Sequence, residues 1–295
     1  THDIKTDVTS FSMQMGAVFL NLLTNLLLAH IMLPAEYGAF AYASTLIFVL
    51  AGFGTFGTQN LLVREAGASA NNNSDVAKSL LNWSLKRSIL FTVILLAVFI
   101  LISLRFGLFF GNERMSSYLF PMLTSITCVL LLTHIYIWQA YLQGVMKIFK
   151  ALFAEKIVRP ALLLIISIIL FFITQKQTLN FSTVAVINLI SFFIALIVVY
   201  FAVRKSTRHI EATVPVKEIS NAWKKSSLTF FFFSGVTLIY LRTDMLCLGF
   251  FENPEQIGIY NVSSRVAETV AFPLHVITFG LSPLISGLFH SNDKL

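Results

Sequence analysis

Eight apolar runs of about twenty residues divide this chain, and each is long enough for a helix to cross a hydrocarbon layer roughly 30 Å thick. They cover residues 11–33, 39–62, 88–110, 117–140, 152–174, 181–203, 227–251 and 258–289. Backbone polar groups inside a bilayer have no water to bond, so such runs have to be helices or closed barrels. Runs this long and continuous fit helices. Composition points the same way: 56% of the 295 residues are hydrophobic and 12% are charged, against about a quarter charged in a soluble domain. The expected fold is an all-α integral membrane protein with about eight transmembrane helices. The start, THDIKTDVTS, is polar and carries no small-residue cleavage pattern, so the first run is expected to be retained as the first span.

The basic residues alternate from loop to loop. Sixteen lysines and arginines fall at the termini and in the loops after runs two, four and six, and three (Arg105, Arg114 and Lys176) fall in the others. Cytoplasmic loops carry such an excess, so both termini are expected in the cytoplasm. The net charge of +7 is thereby accounted for without nucleic acid as a partner. Cys128 and Cys247 both lie inside apolar runs and read as packing residues, with no disulfide framework or metal site implied. Two cytoplasmic stretches, Ser74 to Lys86 and Pro215 to Ser226, read either as solvated connectors or as helices. Trp223 and the lysines after it would suit a helix at the level of the lipid headgroups.

One short segment occurs twice. Leu33 to Ser44 (LPAEYGAFAYAS) matches Asn253 to Ser264 (NPEQIGIYNVSS) at an offset of 220 residues without a gap. Pro34 pairs with Pro254, Gly38 with Gly258 and Ser44 with Ser264. Short loops between spans favour Pro and Gly in any case. The ungapped Pro-x-x-x-Gly-x-aromatic match favours an internal repeat, the device from which many transporters are built. The expected organisation is a six-span bundle over residues 1–212. A cytoplasmic linker and the first hairpin of a second, repeated bundle follow over residues 213–295. On that reading the chain stops after two spans of the second copy and is expected to be truncated.

Ionisable groups within a span are expensive unless they are paired or wet. Run seven holds Arg242 and Asp244, and run eight holds Arg265 and Glu268. The turn at Pro254 makes these two helices antiparallel neighbours. At 1.5 Å per residue Asp244 and Arg265 would share a depth, as would Arg242 and Glu268. Two cross-helix pairs are therefore expected, or a pair between Arg265 and Glu268 three residues apart on one face. These groups either line a polar cavity, where arginines match phosphate oxygens and carboxylates take a proton or sodium ion, or only hold the hairpin together. Glu155, Lys156 and Arg159 are expected near the cytoplasmic surface, where long side chains snorkel. Asn21 and Asn25 share one face of run one. For them, as for His30, His134 and Gln139, a helix–helix hydrogen bond is the commoner role. There is no Gly-x-x-x-x-Gly-Lys phosphate loop and no recognised hydrolase motif, so no enzyme is expected.

Ala29 to Gly67 (AHIMLPAEYGAFAYASTLIFVLAGFGTFGTQNLLVREAG) resembles the first hairpin of the bacterial oligosaccharide-lipid flippases. These belong to the multidrug/oligosaccharidyl-lipid/polysaccharide exporter superfamily. Asp244 to Glu268 resembles the opening of that family's second half. One departure is His30, where relatives commonly have Arg before the turn. The resemblance implies two six-span bundles around a central cavity in the bacterial inner membrane. It implies alternating access driven by an ion gradient, with no cofactor beyond a coupling H+ or Na+. The cargo would be an undecaprenyl-pyrophosphate-linked oligosaccharide, and the partners would be membrane lipid and the glycan polymerase or glycosyltransferases of the same pathway. In that setting Arg242 and Arg265 would meet the pyrophosphate. Asp244 and Glu268 would hold them or couple to an ion, and Asn21, Asn25 and His30 would contact sugar. The alternatives are a drug or metabolite exporter of the same superfamily, a membrane glycan polymerase or ligase, and a non-functional remnant.

Overall fold

The computed structural model describes residues 4–69, 74–105, 119–175, 178–208 and 217–270. The helices in chain order are α1 (Ile4–Ile31), α2 (Pro34–Gly54), α3 (Thr58–Ser69), α4 (Ser74–Arg105), α5 (Leu119–Gly144) and α6 (Ile148–Phe153). A π-helical turn (Ala154–Val158) then leads into α7 (Arg159–Ile173), α8 (Phe181–Thr207) and α9 (Lys217–Phe251). A last helix, α10, runs from 254 through 270. Among the described residues there is no β-sheet, only an isolated bridge between Met32 and Leu179. Seven helical stretches of the described residues are long and apolar enough to cross a membrane. The chain is an all-α integral membrane protein.

α5 is the axis of the core. Its buried face, with Val129, Leu132, Ile135, Ala140 and Tyr141, packs against α2, α3, α4 and α8. The outward faces of α4, α7 and α8 leave Leu90, Leu101, Phe172, Ile173, Phe193 and Phe201 exposed. That is the pattern of helices whose solvent is lipid. Cys128 is buried as expected, but Cys247 is exposed on α9.

Several boundaries differ from the sequence reading, each for a local reason. The second run does not continue to 62. The backbone turns into the left-handed region at Phe56 (φ 51) and Gly57 (φ 68), ending α2 and starting the separate helix α3. Gly57 also has the backbone of Ser227, Phe230 and Phe231 so close that a Cβ would clash with it. Ser74 begins α4, so the cytoplasmic stretch and the third span form one helix of 32 residues. The stretch before the seventh span is likewise continuous with it, in a helix of 35 residues. Trp223 is packed inside the protein. It is 4% exposed, with its ring 5.8 Å from that of Trp83. The expected domain boundary at 212–213 lies outside the described residues.

The two Pro-Gly segments meet face to face. A Cβ on Gly38 would overlap the carbonyl oxygen of Pro254. A Cβ on Gly258 would come within 3.0 Å of the carbonyl oxygen of Pro34 and 3.3 Å of the Gly38 Cα. The contact is reciprocal: each glycine faces the proline carbonyl of the other segment, as in an interface related by a twofold axis. Below it, Ala41 of α2 packs with Met245 and Ile257. Tyr37 accepts a hydrogen bond from Asn261 Nδ2 at 2.8 Å and donates one to Asn25 Oδ1 at 3.3 Å. Further along α9, Ser227 donates to the Phe56 carbonyl at 2.6 Å and Asn60 donates to Ser234 at 2.9 Å. These contacts bind α9 and α10 to the preceding helices.

Candidate functional site

A cavity of about 710 Å³ opens between α1, α2, α5, the π-turn with α7, α8, α9 and α10. Its size lies within the range of ligand sites, roughly 300–1,000 Å³. Three polar stripes face it. The first comes from α1, where Gln14, Asn21 and Asn25 recur at helical spacing among apolar residues. Both asparagine amides donate to the carbonyl four residues back, Asn21 to Ala17 at 2.9 Å and Asn25 to Asn21 at 2.8 Å. Anchored in this way, Asn25 accepts the Tyr37 hydroxyl at its side-chain oxygen, and the Asn21 oxygen is left to accept a bond from elsewhere.

The second stripe comes from α9 and α10 and contains Arg242, Arg265 and Glu268. Glu268 is shared. Its Oε2 lies 2.8 Å from Arg265 Nη1 and its Oε1 lies 3.7 Å from Arg242 Nη1. The expected Arg242–Glu268 pair therefore forms across the hairpin, together with the pair between Arg265 and Glu268. The expected Asp244–Arg265 pair does not form. Asp244 is exposed and accepts a hydrogen bond from Tyr260 at 2.7 Å, and it does not line the cavity. Depth alone suggested that pair, but Asp244 lies two residues from Arg242, on another face of the helix. His30 is also exposed and outside the cavity.

The third stripe was not expected. Glu155, Lys156, Arg159 and Pro160 line the cavity, with Tyr136 and Asn188 beside them. Glu155 is only 6% exposed. The helical segment begins at Ile148 rather than at 152, so Arg159 sits eleven residues in, about 16 Å along the axis. Thr24, in the second half of α1, donates its hydroxyl to the Pro160 carbonyl at 3.3 Å and ties this turn to the first span. The backbone is specialised here. The Arg159 N–H bonds the Ala154 carbonyl five residues back, making a π-turn directly ahead of the proline. Such turns recur at functional sites. One signal in the sequence would have found this stripe: Leu152, Glu155, Lys156, Arg159, Pro160 and Leu163 fall at the i, i+3, i+4, i+7 spacing of one helix face.

Arg159 is held differently from the other arginines. Its guanidinium carbon lies 5.1 Å from the centre of the Phe48 ring and 4.6 Å from that of Phe192. Glu155, one turn back, bonds Lys156 instead, with Oε2 3.3 Å from Nζ. Within the described residues Arg159 has no ion pair and no hydrogen-bonded side-chain nitrogen, and its Nε is buried. Arg265 Nε is likewise buried without a partner.

Residues 7–289 match the family described as polysaccharide biosynthesis protein. The chain belongs to that family. No curated protein and no solved structure matches it. For a multi-pass member of a polysaccharide biosynthesis family, a charged cavity within apolar helices is the natural place to look for function. At this level the protein is a polysaccharide-related membrane transporter.

Proposed function

We propose that this family member moves an undecaprenyl-pyrophosphate-linked oligosaccharide from the cytoplasmic to the outer leaflet of the bacterial inner membrane. The flipped cargo would then feed surface polysaccharide assembly. One observation carries this reading: Arg242 and Arg265 converge on a cavity of about 710 Å³ inside helices that face lipid, with one carboxylate, Glu268, between them. A guanidinium fork matches phosphate oxygens in a planar, two-point geometry. A guanidinium stays charged wherever it sits, and two arginines sharing one carboxylate leave a positive charge for another anion.

The cavity accommodates a headgroup and adjoining sugars, while a long prenyl tail would trail in the bilayer beside the exposed faces. Asn21 and Asn25 would present amide oxygens to sugar hydroxyls. Glu268, in the cavity, is better placed than Asp244 to release the arginines when cargo arrives or to take up a coupling H+ or Na+. The excess of basic residues in alternate loops supports cytoplasmic termini, and with them loading from the cytoplasmic side.

The test is a deletion strain followed for its lipid-linked glycan. Accumulation of the glycan on the inner leaflet, reversed by wild-type protein but not by Arg265→Ala expressed at the same level, is the expected result. Loss of drug resistance with normal glycan export would instead assign a metabolite exporter. A block in chain elongation, with the lipid-linked unit already on the outer leaflet, would assign a polymerase.

A further inference from the structure

The cavity has more positive charge than its own carboxylates neutralise. Among the described residues Lys156, Arg159, Arg242 and Arg265 face it, against Glu155 and Glu268, an excess of two positive charges. The two charges arise in different places. One comes from Arg242 and Arg265, which share Glu268. The other lies with Lys156 and Arg159: Glu155 bonds Lys156 and acts on Arg159 only through its field, without contact. Arg159 keeps its position without a carboxylate, between the faces of Phe48 and Phe192. Ring faces attract a cation and fix the plane of a guanidinium, yet they do not cancel its charge or use up its N–H donors. An arginine held like this inside a membrane protein is prepared for an anion it does not yet have.

We infer that Arg159 is a specificity-determining residue that binds the second of two linked phosphates, opposite the Arg242–Arg265 pair, so that the cavity selects a pyrophosphate diester over a single phosphodiester. The inference rests on the function proposed above and adds to it. A pyrophosphate diester carries one negative charge on each phosphorus, which balances the excess of two. A phosphodiester carries one and leaves a buried cation without a counter-charge. The two anchors come from different parts of the chain, Arg159 from the helix after the π-turn and Arg265 from α10. A two-phosphate headgroup would therefore tie those parts together, and a one-phosphate headgroup would not.

The experiment measures binding of two probes to the full chain in detergent: a prenyl-pyrophosphate-linked N-acetylglucosamine and its prenyl-monophosphate-linked counterpart. Wild-type protein is expected to prefer the pyrophosphate. Arg159→Gln should weaken the pyrophosphate lipid by roughly tenfold or more, the effect of losing a hydrogen bond to a charged group, and should change the monophosphate lipid less than about threefold on the same scale. Arg159→Lys, which keeps the charge and loses the planar fork, should restore part of the preference. It also guards against a merely unfolded glutamine variant. Equal weakening of both lipids in Arg159→Gln and Arg159→Lys, or no change in either, overturns the inference. If that happens while Arg265→Gln still abolishes pyrophosphate binding, the proposed function stands without Arg159. If wild-type protein binds neither lipid, the proposed function fails and the inference fails with it.

Discussion

The two charged walls of the cavity solve one problem in different ways. On α9 and α10 the arginines are held by a carboxylate: Glu268 reaches Arg265 at 2.8 Å and Arg242 at 3.7 Å. On α7 the arginine is held by carbon: Arg159 lies over two phenyl rings and, among the described residues, has no carboxylate within ion-pair distance. A carboxylate cancels charge and occupies donors. A ring face supports the guanidinium and leaves its charge unspent. The first wall is thus partly satisfied by the protein itself, and the second depends on what enters. On the inference drawn above, the arginine held by rings is the better guide to the ligand, because its donors are not occupied by the protein.

The walls are held in register by the crossing of Gly38 and Gly258, and disturbing it should have the largest effect. Gly38→Leu places a side chain on the Pro254 carbonyl, a backbone atom that cannot swing aside. Overpacking of this kind costs about 1–3 kcal/mol or more. Thermal unfolding in detergent should fall clearly for Gly38→Leu and less for Gly258→Ala, whose Cβ would meet its neighbours at 3.0–3.3 Å. Equal shifts would mean that the two glycines are not distinguished by the crossing. Next comes the aromatic wall. Phe192→Leu keeps an apolar side chain but removes one ring face, worth about 0.5–2 kcal/mol to a cation. Cargo affinity should drop severalfold with little change in fold. An unchanged affinity would show that the rings do not position Arg159.

The carboxylate wall should respond with the opposite sign. Glu268→Gln frees both arginines, and because Glu268 is 54% exposed its pairs contribute less than about 1 kcal/mol to stability. Pyrophosphate binding should tighten, whereas weaker binding would identify Glu268 as a cargo ligand instead of a competitor for the arginines. The smallest effect is expected outside the cavity. Tyr260→Phe removes the exposed bond to Asp244 and a contact with Ser264, so transport should be unchanged and stability should shift by less than about 1 kcal/mol. A transport defect would return Asp244 to the functional site.

Much of this site was legible in the primary structure because its signals are local. Arg265 and Glu268 are three residues apart, and Asn21 and Asn25 are four apart, so helical periodicity alone puts each pair on one face. The asymmetry of basic residues and the length of the apolar runs are also properties read along the chain. Less legible was which groups share a cavity. A span starting at 152 puts Glu155, Lys156 and Arg159 near its cytoplasmic end, whereas the helical stretch begins at Ile148 and all three line the cavity. Asp244 was matched to Arg265 by depth without asking which way each side chain pointed.

Apolar length and scarcity of charge determined by themselves that this chain is a helical membrane protein, because a bilayer accepts few other arrangements of backbone. They also marked four ionisable residues near the Pro254 turn. Only the tertiary structure decided which of those share a cavity, since Glu268 faces Arg242 while Asp244 turns to Tyr260. Only the folded chain brings Phe48 and Phe192 to the two sides of Arg159, across separations of 111 and 33 residues. Aromatic residues in an apolar sequence are too common to mark their partners, so such a cation site is visible only once the helices are packed.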